Sequence, residues 1–190
     1  MEEIILQDKN ALIFLNTLGS ESFDSFWLTA TKVWIWLPLF TTALYLLVKN
    51  YGWKKLLYFL IFIGLGIAVS DQLTNIFKTG IGRLRPCHDE TLEGLIREVT
   101  CGGQFSFYSA HASNSFFIAT FLTHFLKEKA KGFGVIIFVW ASVFAYSRIY
   151  LGVHFPLDIL TGAIMGFIIG KIFAYLTQKT FEKQAMNSSS

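Results

Sequence analysis

Five apolar blocks, separated by polar connections that are short except for 78–112, run through most of the chain. A helix needs about 20 apolar residues to cross ~30 Å of hydrocarbon, and on that measure the blocks predict transmembrane helices at 27–48, 56–77, 113–126, 132–150 and 156–177. The third block is short unless its helix begins in the polar run from Ser109, so its polar start is expected to face protein or water. A smaller apolar patch, Ala11 to Leu18, is broken by Asn16 and fits an interfacial helix. Ahead of it, Met1 to Asn10 carries Glu2, Glu3 and Asp8 without the basic start or apolar core of a signal peptide, and is expected to be retained. The pattern therefore predicts an all-α membrane helical bundle of about five transmembrane helices plus an N-terminal interfacial helix, with 1–190 as one membrane-embedded domain. In the last block, Gly162, Gly166 and Gly170 recur every four residues, a small-residue face for close helix approach within the bundle in preference to homodimerisation.

Composition narrows the class. At 53% hydrophobic and 15% charged the chain is too apolar for a soluble domain of 190 residues, and 17% aromatic residues exclude disorder. The net charge of +3 comes without a basic cluster interleaved with aromatics, which argues against nucleic acid as a partner. Neither pattern nor charge favours a particular oligomeric state. Lys49, Lys54, Lys55, Lys127, Lys129, Lys131, Lys179 and Lys183 fall on one side of the predicted topology, which makes that side cytoplasmic. The N-terminus, 78–112 and 151–155 then face outward, although Lys78, Arg83, Arg85, Arg97 and Arg148 weaken the asymmetry unless some have another task. Cys87 and Cys101 are the only cysteines; both sit in the long outward connection, where a disulfide is expected over two free thiols, and a zinc site is not.

The outward connections concentrate residues that are costly near a bilayer. Lys78 is followed by Arg85-Pro86, His111 lies near a helix start behind Ser109, and Ser147, Arg148, His154 and Asp158 surround the turn between the last two spans. Taken singly, the first two have bland readings as a basic flank and a helix cap. The third does not: Pro156 suits a first helical turn, which sets Asp158 where its carboxylate can orient His154. Three fixed cations, two histidines and helix N-termini on one membrane face suit a phosphate dianion and its transition state, and so phosphoryl transfer. Asp71 and Asn75 are expected to face the bundle and support the cations, and His124 to be interfacial. Arg83 and His88 stand beside the site, where either contacts a substrate headgroup or is solvated, and Arg97 reads as a surface charge.

These residues resemble the three-part signature of the type 2 phosphatidic acid phosphatases, membrane relatives of the vanadium haloperoxidases. Lys78, Arg85 and Pro86 match the first part and Ser147, Arg148, His154 and Asp158 the third, while Tyr108, Ser109, Ala110 and His111 stand where the family has Pro-Ser-Gly-His. The resemblance implies a metal-independent and cofactor-free phosphatase. His154 would be the nucleophile, Asp158 its orienting partner and His111 the acid and base. Lys78, Arg85, Arg148, Ser109 and the backbone N–H groups from 109 to Ala110 and His111 would hold the phosphate. It further implies a lipid phosphate substrate and a bacterial inner-membrane location with the site facing the periplasm. Undecaprenyl diphosphate is the expected substrate. Phosphatidylglycerophosphate or lipid A hydrolysis, or transfer to an acceptor lipid, is the alternative, and a silent lipid-phosphate binder the non-enzymatic one.

Overall fold

The computed structural model describes residues 2–187; Met1 and 188–190, inside the single unit expected over 1–190, lie outside the described residues. Seven α-helices follow in order: α1 (Glu2–Thr17), α2 (Asp24–Ala30), α3 (Leu37–Tyr51), α4 (Trp53–Ile81), α5 (Ala110–Leu126), α6 (Phe133–Tyr150) and α7 (Pro156–Asn187). No strand forms among the described residues; a lone antiparallel bridge joins Leu84 and Phe105. The protein is an all-α membrane bundle, with four helical stretches long and apolar enough to cross a bilayer: Val33–Tyr51, Trp53–Ile81, Phe133–Tyr150 and Pro156–Asn187.

The first predicted span, 27–48, is corrected. The chain breaks after Ala30: Thr31 Oγ1 donates back to the Leu28 carbonyl, Trp36 Nε1 donates to the Ala30 carbonyl, and Pro38 restarts the helix in its first turn. Residues 27–30 thus belong to α2, which packs on α6. The helices α4 and α7 outrun the predicted 56–77 and 156–177, because a helix continues past the hydrocarbon wherever its polar residues are water-facing.

The helix predicted near 113–126 begins at Ala110 with Ser109 as N-cap, and its 17 residues span only roughly 25 Å at 1.5 Å per residue. Instead of meeting lipid it runs through the middle of the bundle, burying Ala112, Ser113, Ser115, Phe117, Ala119, Thr120, Phe121 and Leu122. Its most extensive neighbour is α7, and the glycine stripe explains why. A Cβ on Gly162 would stand 2.6 Å from the Ser109 carbonyl oxygen, and one on Gly166 would collide with the Ser113 carbonyl. Only glycine lets the two backbones meet so closely, and the face serves packing within the bundle, as expected. Phe59, Phe121 and Phe125 close the far end, with Phe59 and Phe125 edge to face at 4.8 Å.

The N-terminal helix α1 docks where α6 ends and α7 begins. Asn16, fully buried, donates to the carbonyls of Ile149, Tyr150 and Arg97 and accepts from the Arg97 N–H at 2.6 Å. It thereby satisfies carbonyls that the last turn of α6 leaves without helical partners.

Candidate active site

The site is assembled from three chain reversals at one end of the bundle. The first follows α4. Gly82, in the left-handed region at φ 65°, caps the helix by donating to the Lys78 carbonyl at 3.0 Å, so Lys78 occupies the last turn. The chain then pairs with 104–106: Arg85 N donates to the Gln104 carbonyl and Ser106 N to the Arg83 carbonyl. A disulfide between Cys87 and Cys101, Cα atoms 5.9 Å apart, closes the same loop. With backbone on both sides fixed, the Arg85 side chain is held by its Nε bond to the Phe105 carbonyl.

The second reversal leads into α5. Ser109 Oγ accepts from Ala112 N at 3.4 Å, and Ser109 N donates to the Asp158 carbonyl at 3.1 Å. Fully buried, Ser109 caps the helix and joins it to α7, and its hydroxyl, an acceptor from Ala112 N, keeps its own hydrogen to donate. The Ala110 and His111 N–H groups remain as first-turn donors of α5. His111 stacks on Phe144 of α6, ring centroids 5.5 Å apart.

The third reversal joins α6 to α7. The Arg148 carbonyl accepts from Val153 N and His154 N, and Gly152 turns the chain at φ 75° where a Cβ would lie 2.7 Å from the Arg97 carbonyl oxygen. Phe155 then serves as N-cap and Pro156 as first residue of α7. Asp158, at the third helical position, reaches back so that Oδ2 accepts from Phe155 N at 2.9 Å, half of a capping box. The same oxygen lies 3.3 Å from His154 Nδ1. One local motif therefore fixes both the helix start and the imidazole, leaving Nε2 as the ring nitrogen that Asp158 does not engage.

The cations converge here. Lys78 is within electrostatic reach of Arg85, Arg148, Asp158 and Asp71, and His111 of Arg148, His154, Lys78 and Arg85. Arg148 Nε is buried without a protein acceptor, an unspent donor in electrostatic reach of His111. Burial pushes the His154 ring down to about 4, against the opposing pull of Asp158 and with the Arg85 and Lys78 charges adding to it. His154 is thus neutral near pH 7 and carries a free lone pair.

Several expectations change. Arg83 does not reach toward a headgroup: Nη1 donates to Asp158 Oδ1 at 3.1 Å, Nη2 to Asp8 Oδ2 at 2.7 Å, and the guanidinium covers the Phe155 ring at 3.7 Å. Arg97 is no surface charge, since Nη2 binds both oxygens of Asp24 at 2.6 and 2.8 Å and holds that carboxyl below its ordinary value. Asp71 accepts from Asn114 Nδ2 at 2.8 Å inside the bundle, whereas Asn75 is exposed. His88 packs against Cys101 and the Gly102 carbonyl at the loop surface, and His124 pairs with Gln178 far from the site. Beside His111 opens a cavity of about 510 Å³ lined by Trp36, Phe40, Ile67, Trp140 and Phe144, an apolar surface suited to a lipid.

The arrangement has relatives. Residues 55–182 match the PAP2 superfamily. The chain is similar to a lipid A 4'-phosphatase of Bacteroides thetaiotaomicron, 37% identical over 90% of this chain and 77% of the relative. A lipid A 4'-phosphatase of Porphyromonas gingivalis is 29% identical over 92% and 76%. Its fold resembles the crystal structure of Aquifex aeolicus LpxE, with a TM-score of 0.66 and 26% identity over 85% of this chain and 91% of that one. With a cationic pocket around a buried, carboxylate-oriented histidine, and a match over most of its length, the chain belongs to the PAP2 superfamily and is a membrane phosphatase of that type.

Proposed function

We propose that the protein hydrolyses a phosphomonoester of lipid A or a closely similar saccharolipid, by way of a phosphohistidine. The observation that carries the substrate is the 37% identity to a lipid A 4'-phosphatase over 90% of this chain. It favours lipid A over undecaprenyl diphosphate, the substrate expected from sequence.

The chemistry uses residues already gathered by the three reversals. Lys78, Arg85 and Arg148 hold the phosphoryl oxygens and offset the charge that grows in the transition state. His154 Nε2 attacks phosphorus as the bond to the sugar oxygen breaks, and His111 gives that oxygen its proton. Asp158 stabilises the imidazole as it becomes positive. Water then attacks the phosphohistidine, passing a proton back to His111, and inorganic phosphate leaves with His154 restored. The one carboxylate at the nucleophile, Asp158, is spent on His154, Phe155 N and Arg83, so a magnesium ion finds no free oxygen cluster there.

The test is phosphate release by purified protein from lipid A, phosphatidylglycerophosphate and undecaprenyl diphosphate in mixed micelles with excess chelator. The expected outcome is the highest kcat/KM on lipid A, undiminished by chelator, and none with His154→Ala. A higher kcat/KM on either other lipid, activity that needs added magnesium, or turnover by folded His154→Ala would defeat the proposal. Added acceptor lipid that gains the phosphate in place of water would convert the reading from hydrolysis to transfer.

A further inference from the structure

We propose that Asp8, on the N-terminal helix and outside the residues that match the family, is a positioning residue for phosphoryl transfer: through Arg83 it fixes Asp158, and through Asp158 the ring of His154. This rests on the reading of His154 as nucleophile.

The argument begins with what Arg83 would do alone. A guanidinium prefers a carboxylate bidentately, with two parallel N–H groups on its two oxygens. Taken that way by Arg83, Asp158 would turn both oxygens away from the imidazole. Asp8 prevents it by dividing the fork. Its Oδ2 takes Nη2 at 2.7 Å, and the contact with Asp158 is a single one, Nη1 to Oδ1 at 3.1 Å. The other Asp158 oxygen stays on His154 Nδ1 and Phe155 N. Beneath the guanidinium the Phe155 ring, 3.7 Å away, keeps it in the plane that reaches both acids.

Asp8 also sets the frame. Its Oδ1 accepts from Leu157 N at 2.9 Å, a first-turn donor of α7 with no helical partner. One carboxylate thus touches the helix that carries Asp158 and the arginine that binds it, and it is only 4% exposed. Charge points the same way. The pocket gathers Lys78, Arg85, Arg148 and Arg83 around Asp158, and Asp8 neutralises the one cation that makes direct contact with Asp158. The Asp158 charge is thereby left for the imidazole as it becomes positive.

Another tie from α1 to this face offers a control. Lys9 Nζ pairs with Asp89 at 2.7 Å, tethering the same helix without touching Arg83 or Asp158. Asp8→Asn keeps the shape and an oxygen for Leu157 N but removes the charge from Arg83. With lipid A in mixed micelles, Asp8→Asn is expected to lose kcat roughly 10- to 100-fold with little change in KM, as for partners that orient a reacting group. Lys9→Gln is expected to stay within about threefold of wild type, since a partly exposed pair contributes little. Combined with Asp158→Asn, the Asp8→Asn loss should largely vanish, because its effect passes through Asp158. Arg83→Lys, whose single ammonium cannot bridge both acids, should reproduce the Asp8→Asn signature and carries the test if Asp8→Asn fails to fold. Near-normal kcat in folded Asp8→Asn, losses that simply multiply with Asp158→Asn, or an equal loss in Lys9→Gln would overturn the proposal. A wild type that releases no phosphate from any lipid strikes instead at the proposed function, so the two failures are distinct.

Discussion

His154 is buried and neutral in the folded protein yet free to take a proton near pH 6.5 once unfolded, and that difference is measurable as stability. Because the folded value is depressed, to about 4, the unfolded chain binds more protons between these limits. Its contribution is therefore fully present above pH 6.5 and is lost as pH falls toward 4, with a limiting slope of roughly 1.4 kcal/mol per pH unit. The unfolding midpoint in detergent should drop across that window in wild type and less steeply in His154→Gln; parallel curves would mean that the ring is not held neutral by burial. The residues that bear on this one were unequally legible in the sequence. His154 and Asp158 share a turn, so their spacing alone announces contact, and Lys78 and Arg85 stand seven positions apart across one helix end. Asp8 and Asn16 meet partners far along the chain, Leu157 and Tyr150, and no local spacing points to such a pairing. Arg83 and Arg97 were misread for the same reason: each answers an acid that the fold brings in from α1 or α2.

Hydropathy sees where a helix meets lipid, which is not the same as where it starts or stops. It finds the bodies of α4, α6 and α7 and misses the break at Thr31 that hydrogen bonds make; of α5 it marks the polar start as facing protein or water, but not that its neighbours cover most of its length. The glycine stripe was legible as a close-approach face, and it leads to a prediction. A Cβ on Gly166 meets the Ser113 carbonyl and Phe117 N, both backbone, so nothing at the contact can rotate away. In Gly166→Ala the helices α5 and α7 must separate, at a cost of about 1–3 kcal/mol. Separation also stretches the Ser109 N to Asp158 carbonyl bond that ties the two histidine-bearing reversals together, so kcat should fall with the unfolding midpoint. Gly64→Ala is the contrast, since nothing lies within 4 Å of its added methyl and the helix gains propensity worth up to about 1 kcal/mol. Equal midpoints for the two variants would show that α5 and α7 do not pack backbone to backbone.

At the scale of the whole molecule, the charge asymmetry is sharper in three dimensions than in the sequence. On the end away from the site stand Lys49, Lys54, Lys55, Lys127, Lys129, Lys131, Lys179 and Lys183, with only Glu128 and Glu182 among them. Two of the outward cations that weaken the rule are paired with acids, Arg83 with Asp8 and Asp158 and Arg97 with Asp24. Of the remainder, Lys78, Arg85 and Arg148 are the cations proposed to hold the phosphate, a dianion that would offset their charge in turn. Short loops rich in Lys orient a membrane protein with those loops inside, so the site should open to the exterior of the membrane that holds it. The disulfide between Cys87 and Cys101 fits an oxidising compartment on that side. A protease-cleavable tag inserted at Gly103, exposed and with no atom near its Cβ position, should be cut in intact spheroplasts, and one inserted at Lys129 only after lysis. Cleavage in the reverse order would place the phosphatase site on the cytoplasmic face and its lipid in the inner leaflet.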